Sequence, residues 1–314
     1  MRGFLIKLSI ALALALAAHL VAGLFADGRT DDYYLRFTGV KCSSMIIGTS
    51  RAAQGVRPVV IMPLLDSSAM EGSLFNYAFT IAHSPFGATY LRAIEAKLDP
   101  RSRNGLFIVT VDPWSLSLAK VRRDDLPLMR EDDRSLGEQW TFTGTPNYEY
   151  LVRHTTAGWG SLMAGPMHDM DTLTLLHTDG WIEIKAPIDT ATVRDRTKHK
   201  VEHYRKEMLA VFRPAEERVA YLDKIVDLLK PHGHVFLVRL PVCDAIEAME
   251  DSLWPGFSGR IQSLAGAHSV PFWDLMPSND QYTYVDGNHL DTASARAFSS
   301  DLGLRLAASL QQGR

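Results

Sequence analysis

The sequence predicts an α/β fold, a three-layer, doubly wound parallel sheet of five strands covered by helices on both faces. Two observations predict it. Short apolar runs alternate with segments of helical periodicity along the 314 residues, a pattern typical of parallel sheets whose two faces are buried. The composition, 46% hydrophobic and 22% charged, is that of a globular protein with a sizeable core.

An uncharged apolar run near the N-terminus, residues 8–25, precedes this domain. It follows Arg2 and Lys7 and contains 18 residues, enough for a helix of roughly 27 Å, the lower end of what crosses a bilayer. Residues 1–27 are therefore expected to be a signal anchor in the inner membrane or a cleaved signal peptide. The flanking charges predict a cytoplasmic N-terminus and an extracytoplasmic, periplasmic or secreted domain over residues 28–314.

Five apolar runs are the predicted strands. In chain order they are SMIIG (44–48), LFNYAF (74–79), GLFIVTV (105–111), HVFLVRL (234–240) and VPFWDL (270–275). Helices are predicted in the segments 84–100 and 214–233 and from about Thr292 to Gln311. The second of these helices has one apolar face, made of Val219, Leu222, Ile225, Val226 and Leu229.

A long insertion, residues 112–233, separates the third and fourth strands. Its segment 122–135 is rich in charge and is expected to be a solvated loop, whereas Asp179 and Gly180 between two apolar runs predict a hairpin. The segment 194–212 reads as a helix with a basic face. That face is either solvated helix surface or a patch for anionic glycan or lipid headgroups.

Charge and cysteine content limit the possible partners and crosslinks. A formal net charge of −3 gives no basic footprint for nucleic acid, so no such partner is predicted. Cys42 precedes its strand and Cys243 follows its own. Opposite edges of a sheet are too far apart for a disulfide, whose Cα atoms approach within about 7 Å. Two free thiols are predicted.

Ser50 is the first candidate for chemistry, because it falls just beyond the first strand, at the sheet edge where ligands of open α/β sheets bind. A serine acts as a nucleophile when a histidine with an orienting carboxylate takes its proton. Asp286 and His289 lie three residues apart in the loop before the last helix. We therefore expect Ser50, His289 and Asp286 to form a catalytic triad, with capping and turn roles as the alternative.

Two blocks of sequence resemble those of SGNH (GDSL-like) hydrolases. Gly-Thr-Ser-Arg at 48–51 is similar to the first block of that family, and Asp-Gly-Asn-His-Leu at 286–290 is similar to the last. The resemblance spans residues 42–310 apart from the insertion. It implies a flavodoxin-like SGNH fold, with Ser50 as nucleophile, His289 as general base and Asp286 as the residue that orients it. No cofactor and no metal ion are implied.

The chain departs from the family at the oxyanion hole. The second block keeps Asn76 in a stretch that includes Thr80 but lacks the expected glycines, and the third block has Asp112 in place of a Gly-x-Asn sequence. These residues and Arg51 are the candidate oxyanion or substrate-binding groups, together with the backbone N–H of Ser50 and one backbone N–H from residues 79–82. An ionised aspartate cannot donate to an oxyanion, and one lost donor costs about 3 kcal/mol. Asp112 could instead cap the turn before Pro113.

Other readings of single sites are weaker. The Gly-x-Ser elbow of α/β-hydrolases follows a later strand than the one before Ser50. The histidines in 168–171 and 232–234 have no third ligand at motif spacing, so surface loops are expected rather than metal sites. Arg239 follows an apolar strand and is equally a buried ion-pair residue or a substrate clamp.

Two functions remain. One is an extracytoplasmic serine esterase or O-acyltransferase that acts on acyl esters, with acetyl the expected group, of cell-surface carbohydrate. The N-terminal anchor gives the chain a further resemblance to the SGNH proteins that accompany membrane-bound O-acyltransferases, which would be its partner. The alternative is a catalytically weak SGNH-fold protein that binds glycan or scaffolds such an acyltransferase through the insertion.

Overall fold

The computed structural model describes residues 1–28, 30–66, 68–119, 133–154, 158–164 and 174–312, which contain nine strands and twelve α-helices beside short 3-10 and π-helical turns. The strands are β1 (Ser44–Ile47), β2 (Leu74–Asn76), β3 (Gly105–Thr110), β4 (Ser117–Ala119), β5 (Thr174–Leu176), β6 (Ile182–Ile184), β7 (Phe212–Pro214), β8 (Gly233–Arg239) and β9 (Phe272–Asp274). The helices are α1 (Arg2–Gly23), α2 (Ser50–Gly55), α3 (Pro58–Ile61), α4 (Ala88–Lys97), α5 (Ser135–Glu138), α6 (Tyr148–Arg153), α7 (Trp159–Ala164), α8 (Thr190–His203), α9 (Glu216–Leu229), α10 (Asp244–Leu253), α11 (Phe257–His268) and α12 (Thr292–Gln312).

The central sheet has five parallel strands in the order β2-β1-β3-β8-β9. Counted among the central strands alone, this is the 2-1-3-4-5 order of flavodoxin-like doubly wound sheets. All five strands lie within the predicted apolar runs or begin one residue before them, so the prediction of a five-stranded parallel sheet is confirmed. The order reverses between β1 and β3, and a crevice for ligands forms at the carboxyl ends of strands on either side of such a reversal.

Alternate residues of each central strand face two separate cores. In β3, Phe107 and Val109 pack with buried side chains of α4, α9 and α11, whereas Leu106 and Ile108 pack with those of α3 and α12. Buried strands with apolar residues on both faces require a helical layer on each side. The helices therefore form the two outer layers of an α/β/α arrangement.

Two predicted boundaries shift in the structure. The helix predicted over 84–100 occupies Ala88–Lys97, because Ser84 leaves the helical path and its Oγ donates to the carbonyl of Gly48 at 2.8 Å. The predicted strand 74–79 ends as β2 at Asn76. The next residues bend over the end of β1, where Phe79 N–H donates to Gly48 O at 3.2 Å. Both departures bring backbone against the segment that precedes Ser50.

The insertion contains the predicted hairpin and the predicted basic helix. β5 and β6 pair antiparallel, and Gly180 takes the positive φ of 84° that their turn requires. The basic helix is α8, followed by a turn of π-helix over Tyr204–Met208. The predicted apolar face of α9 is buried in full. Residues 122–132 of the predicted loop 122–135 lie outside the described residues.

α1 is the apolar helix predicted at the N-terminus. It has 22 residues, with a mean hydropathy of 2.2 in a window that is unburied, so its length and composition suit a membrane span or a signal sequence. Its last turns contact the insertion, where Tyr148 OH donates to Leu20 O at 2.8 Å. Whether α1 is an anchor and which way it points remain predictions.

Both cysteines are free thiols, and they lie where the strand order predicts. Cys42 N–H donates to Lys97 O before β1, at the amino edge of the sheet, and Cys243 N–H donates to Gly287 O beyond the carboxyl end of β8. Burial raises the pKa of each thiol above its usual value. Neither thiol is therefore set up to react as a thiolate at neutral pH.

Candidate active site

Ser50 is the first residue of α2, two residues after a tight exit from β1. At that exit Gly48 has a φ of 153°, and a Cβ there would collide with Thr110 Oγ1 of the neighbouring strand. Gly48 is further fixed by hydrogen bonds from its N–H to Tyr90 OH at 3.0 Å and from Ser84 Oγ to its carbonyl at 2.8 Å. A glycine is required here so that the chain can turn sharply and present the Ser50 hydroxyl at the sheet edge.

Ser50, His289 and Asp286 meet at the carboxyl edge of the sheet. Ser50 Oγ lies 2.9 Å from His289 Nε2. The other ring nitrogen, His289 Nδ1, lies 3.1 Å and 3.0 Å from the two carboxylate oxygens of Asp286. These distances are those of a nucleophile, its general base and the group that orients the base.

Hydrogen bonds within the loop that carries His289 and Asp286 fix its conformation. Val285 N–H donates to the carbonyl of His289, which closes the loop. Within it, Asp286 Oδ1 accepts the N–H groups of Asn288 at 3.0 Å and His289 at 2.9 Å. Gly287 supplies the positive φ of 78° that this turn needs. A spacing of three residues therefore suffices to bring the Asp286 carboxylate against the imidazole ring of His289.

The hydrogen bonds around His289 determine its tautomer. Asp286 is a carboxylate and can only accept, so His289 Nδ1 carries the proton. On the other side, Asn288 Nδ2 lies 3.1 Å from His289 Nε2, and an amide nitrogen can only donate. Nε2 therefore presents a lone pair towards Ser50, which is the form that a general base requires.

Asp286 is held in its ionised form. Although burial alone would raise its pKa, the neighbouring His289 and Lys200 lower the pKa of Asp286 well below its usual range. Lys200 Nζ of α8 lies 3.1 Å from Asp286 Oδ2. Asp286 can thus stabilise positive charge on His289 across the whole physiological pH range.

Behind the triad lies a buried ion-pair chain formed by Arg51, Glu250 and Arg239. Glu250 is fully buried, and its oxygens lie 2.6 Å from Arg51 Nη2 and 2.9 Å from Arg239 Nη2. Although burial opposes its charge, Glu250 and the more distant Asp112 raise the pKa of Arg51 above its usual value. Arg51, predicted as a substrate-binding residue, is 6% exposed and serves this chain instead. Of the two roles open for Arg239, the structure shows the buried ion pair.

Arg51 also fixes Asn288, the residue next to His289. Its Nε and Nη2 donate to Asn288 Oδ1 at 3.0 Å and 2.8 Å. Tyr204 of the π-helical turn donates to the same oxygen at 3.2 Å. Because arginine has donors only, this oxygen must be the acceptor, and the amide nitrogen must face His289. The insertion thus contributes Lys200 and Tyr204 to the support of the loop that carries Asp286 and His289.

Asn76 and Thr80, two of the predicted oxyanion or substrate-binding residues, contact other groups of the protein. Asn76 uses both amide hydrogens on carbonyls of the α2 region, Ala52 O at 2.9 Å and Val56 O at 2.8 Å, which leaves none for substrate. Thr80 Oγ1 pairs with His83 Nδ1 at 2.7 Å, within its own turn. The assignment of Asn76 to substrate binding is therefore corrected, because its amide holds the backbone of the α2 region. The assignment of Thr80 stays a prediction.

Asp112 caps the turn after β3, which is one of its two predicted roles. Its Oδ1 accepts from Ser115 N–H at 2.9 Å, and its Oδ2 accepts from Thr49 Oγ1 at 3.2 Å. The residue is 5% exposed. Held in this way it links the end of β3 to the residue before Ser50. It offers no donor where the family resemblance expects an asparagine.

Backbone N–H groups remain as candidate donors at Ser50. As the first residue of α2, Ser50 has an N–H without an intrahelical acceptor, and the N–H groups of Ala52 and Ala53 both donate to Thr49 O. The Ser50 N–H is thus a candidate oxyanion donor, whereas the N–H of Phe79 is engaged with Gly48 O at 3.2 Å. The side-chain amide nitrogen of Asn288, which sequence motifs did not assign, lies 3.1 Å from His289 Nε2 at this edge.

The candidate histidines at 232–234 contact neighbouring groups of the protein. No group of three or more histidine, cysteine, aspartate or glutamate side chains suited to a metal ion occurs in the described residues. His232 Nδ1 pairs with Ser102 O at 3.0 Å and His234 Nε2 with Asn104 Oδ1 at 3.1 Å. The surface loop predicted for 232–234 is corrected, because His232 ends a 3-10 helix and His234 lies in β8. The candidate segment 168–171 lies outside the described residues.

Several residues of the site carry no local sequence signal. Glu250, Lys200 and Tyr204 come from α10, α8 and the π-helical turn, and no short motif links them to the triad. Asn288 lies inside the Asp-Gly-Asn-His block, so its position beside His289 was the one available signal.

Comparison of the chain with family models, with curated proteins and with solved structures gives no match.

Proposed function

We propose that the protein is a serine esterase or O-acyltransferase of the SGNH type, with acyl esters of cell-surface carbohydrate as substrate. The observation that carries the proposal is the unbroken chain from Ser50 Oγ to His289 Nε2 at 2.9 Å and from His289 Nδ1 to Asp286 at 3.0 Å. A serine hydroxyl is a weak nucleophile until a base of this kind removes its proton.

The reaction follows from the geometry. Ser50 Oγ attacks the ester carbonyl while its proton passes to His289 Nε2, and Asp286 stabilises the imidazolium that forms. The N–H of Ser50 stabilises the oxyanion. The carbon–oxygen bond to the alcohol then breaks as Nε2 returns the proton to the departing oxygen. Water or a sugar hydroxyl next attacks the acyl-Ser50 ester through the same base, which gives hydrolysis or transfer.

The order of these residues along the fold supports the SGNH type. The nucleophile follows the first central strand, and the acid–base pair lies in the loop before α12, the last helix. In α/β-hydrolases the nucleophile sits on an elbow after a later strand. The strand order 2-1-3-4-5 and the Asp-x-x-His spacing agree with the resemblance of the two sequence blocks.

The apolar helix α1 supports a place at the membrane. A helix of 22 residues with a mean hydropathy of 2.2 can cross a bilayer, and the basic residues before it favour a cytoplasmic N-terminus. We therefore infer an anchored domain on the extracytoplasmic side. A membrane-bound O-acyltransferase is the partner that would supply acyl groups at that surface.

A second candidate is a catalytically weak protein that binds glycan or scaffolds such an acyltransferase. The observation that favours it is the loss of side-chain oxyanion donors, since Asn76 is fully engaged and Asp112 cannot donate while ionised. One missing donor lowers the rate by about a hundredfold or more. The two candidates differ in whether Ser50 is activated.

Labelling with a fluorophosphonate probe separates them. The full-length protein in mild detergent is treated with the probe beside Ser50→Ala and His289→Ala. Ser263→Ala is the control, because Ser263 donates only to Gly259 O within α11. Labelling of the wild type and of Ser263→Ala, with loss in the two triad variants, supports the enzyme. A folded wild type that does not react would refute it and favour the binding or scaffold role.

A further inference from the structure

The side-chain amide of Asn288 is placed beside the atom that moves the proton. Its Nδ2 lies 3.1 Å from His289 Nε2, and that nitrogen lies 2.9 Å from Ser50 Oγ. Two donors thus point at one lone pair. Asn288 is 3% exposed, so its amide is shielded from bulk solvent.

The orientation of this amide is fixed by chemistry. Asn288 Oδ1 accepts three hydrogen bonds, two from Arg51 and one from Tyr204. Rotating the amide by half a turn would set its NH₂ against the donors of Arg51, which cannot accept. Arg51 is itself held by the buried carboxylate of Glu250 at 2.6 Å. The fold therefore stabilises one orientation, with NH₂ towards the triad.

One hydrogen of that NH₂ has a purpose only before the reaction. It donates to Nε2 while Nε2 is unprotonated, and this bond is lost once the proton of Ser50 arrives there. The second hydrogen has no acceptor among the described residues. In the reaction, Nε2 must face the departing oxygen to protonate it, and this oxygen then lies next to the amide as well.

We propose that Asn288 Nδ2 donates a hydrogen bond to the leaving-group oxygen of the ester and, in the second half-reaction, to the water or sugar hydroxyl that accepts the acyl group. This inference rests on the proposed function. As the carbon–oxygen bond breaks, negative charge grows on the departing oxygen, the amide stabilises it, and the proton from Nε2 completes the alcohol. In the reverse sense the acceptor hydroxyl gives its proton to Nε2 while its oxygen accepts from Asn288.

A leaving-group series tests this. The full-length protein, Asn288→Ala, Asn288→Asp and the control Asn279→Ala hydrolyse 4-nitrophenyl, trifluoroethyl and ethyl acetate, and kcat/KM is measured for each. Ethoxide is strongly basic and needs a donor, whereas 4-nitrophenoxide departs with little help. We expect both Asn288 variants to lose about 100-fold more on ethyl acetate than on 4-nitrophenyl acetate, the effect of one donor at developing charge.

The variants separate this role from a structural one. Asn288→Asp keeps an oxygen for Arg51 but has no donor, so it preserves the loop where Asn288→Ala could disturb it. Asn279 donates to Asp244 and Glu247 outside the triad, and its loss is expected to leave the ratio between esters unchanged. Equal losses of both Asn288 variants on all three esters would overturn the inference while the enzyme stands. A wild type that hydrolyses none of them overturns the proposed function and this inference together.

Discussion

Glu250 forms buried ion pairs with Arg51 and Arg239 beside the proposed triad, and replacing it by glutamine tests whether these pairs stabilise the fold. Its two oxygens pair with Arg51 at 2.6 Å and Arg239 at 2.9 Å, and the side chain is fully buried. Glutamine keeps the shape but turns an NH₂ towards one of the two guanidinium groups. Breaking a buried ion pair costs about 3–5 kcal/mol, because it leaves a charge without a partner.

The remaining contacts set where in this range the cost falls. Arg239 retains Asp274 at 3.4 Å and Ser258 at 3.1 Å, whereas the other contacts of Arg51 are to the neutral Asn288. If the glutamine NH₂ faces Arg51, that arginine loses its only close carboxylate among the described residues. We therefore expect Glu250→Gln to lower the free energy of unfolding by at least about 3 kcal/mol.

Urea unfolding of the full-length protein in mild detergent, followed by tryptophan fluorescence, measures this change. The control is Glu216→Gln, because Glu216 pairs with Arg260 at 2.7 Å with 68% and 38% of the two side chains exposed. Such exposed pairs contribute about 1 kcal/mol or less. A Glu250→Gln protein within about 1 kcal/mol of wild type would refute the view that this ion pair supports the site.

Three further predictions concern the catalytic loop. Since the pKa of Asp286 is lowered, its carboxylate stabilises the fold fully above its unfolded pKa of about 4, and this contribution is lost as the pH falls towards the folded-state pKa. The stability difference between wild type and Asp286→Asn, measured by urea unfolding at several pH values, should therefore narrow below about pH 4. Lys200→Met removes the cation that lies 3.1 Å from Asp286, so an added proton is repelled less at this site. The acid limb of the pH profile of kcat/KM should therefore move to higher pH by about half a unit. An unmoved limb would contradict this. Gly287→Ala places a Cβ on a residue of positive φ and within 2.8 Å of Cys243 Sγ and Thr197 Cγ2. We expect the free energy of unfolding to fall by at least about 1 kcal/mol and kcat to fall as well. A variant that matches wild type in both would contradict the role given to Gly287 in this loop.

The sheet could be predicted because its signals are local. Strands such as β3 and β8 are continuous apolar runs, which is how a strand buried on both faces must read. The face of α9 repeats at helical spacing for the same reason. Boundaries failed where tertiary contacts decide: α4 begins late because Ser84 binds the carbonyl of Gly48 rather than starting a helix.

The reactive groups could be predicted better than their support. Ser50 follows a strand, and Asp286 and His289 share one turn, so spacing alone suggested that they meet. The contacts of Asn76 and Arg51 could not be foreseen, because they depend on which carbonyls and carboxylates the fold brings within reach. Glu250 lies far from Ser50 and Arg51 in sequence, and the packing of α10 against β7 and the π-helical turn accompanies its approach to Arg51.

Acylation of Ser50 tests the central claim most directly. The full-length protein and Ser50→Ala are incubated with 4-nitrophenyl acetate, quenched in acid, digested and analysed by mass spectrometry. The proposed function predicts one added acetyl group on the wild-type peptide that contains Ser50, and none on the corresponding peptide of the variant. A folded wild type without that acetyl group, or one that carries it on another residue while Ser50→Ala remains equally active, would contradict the account.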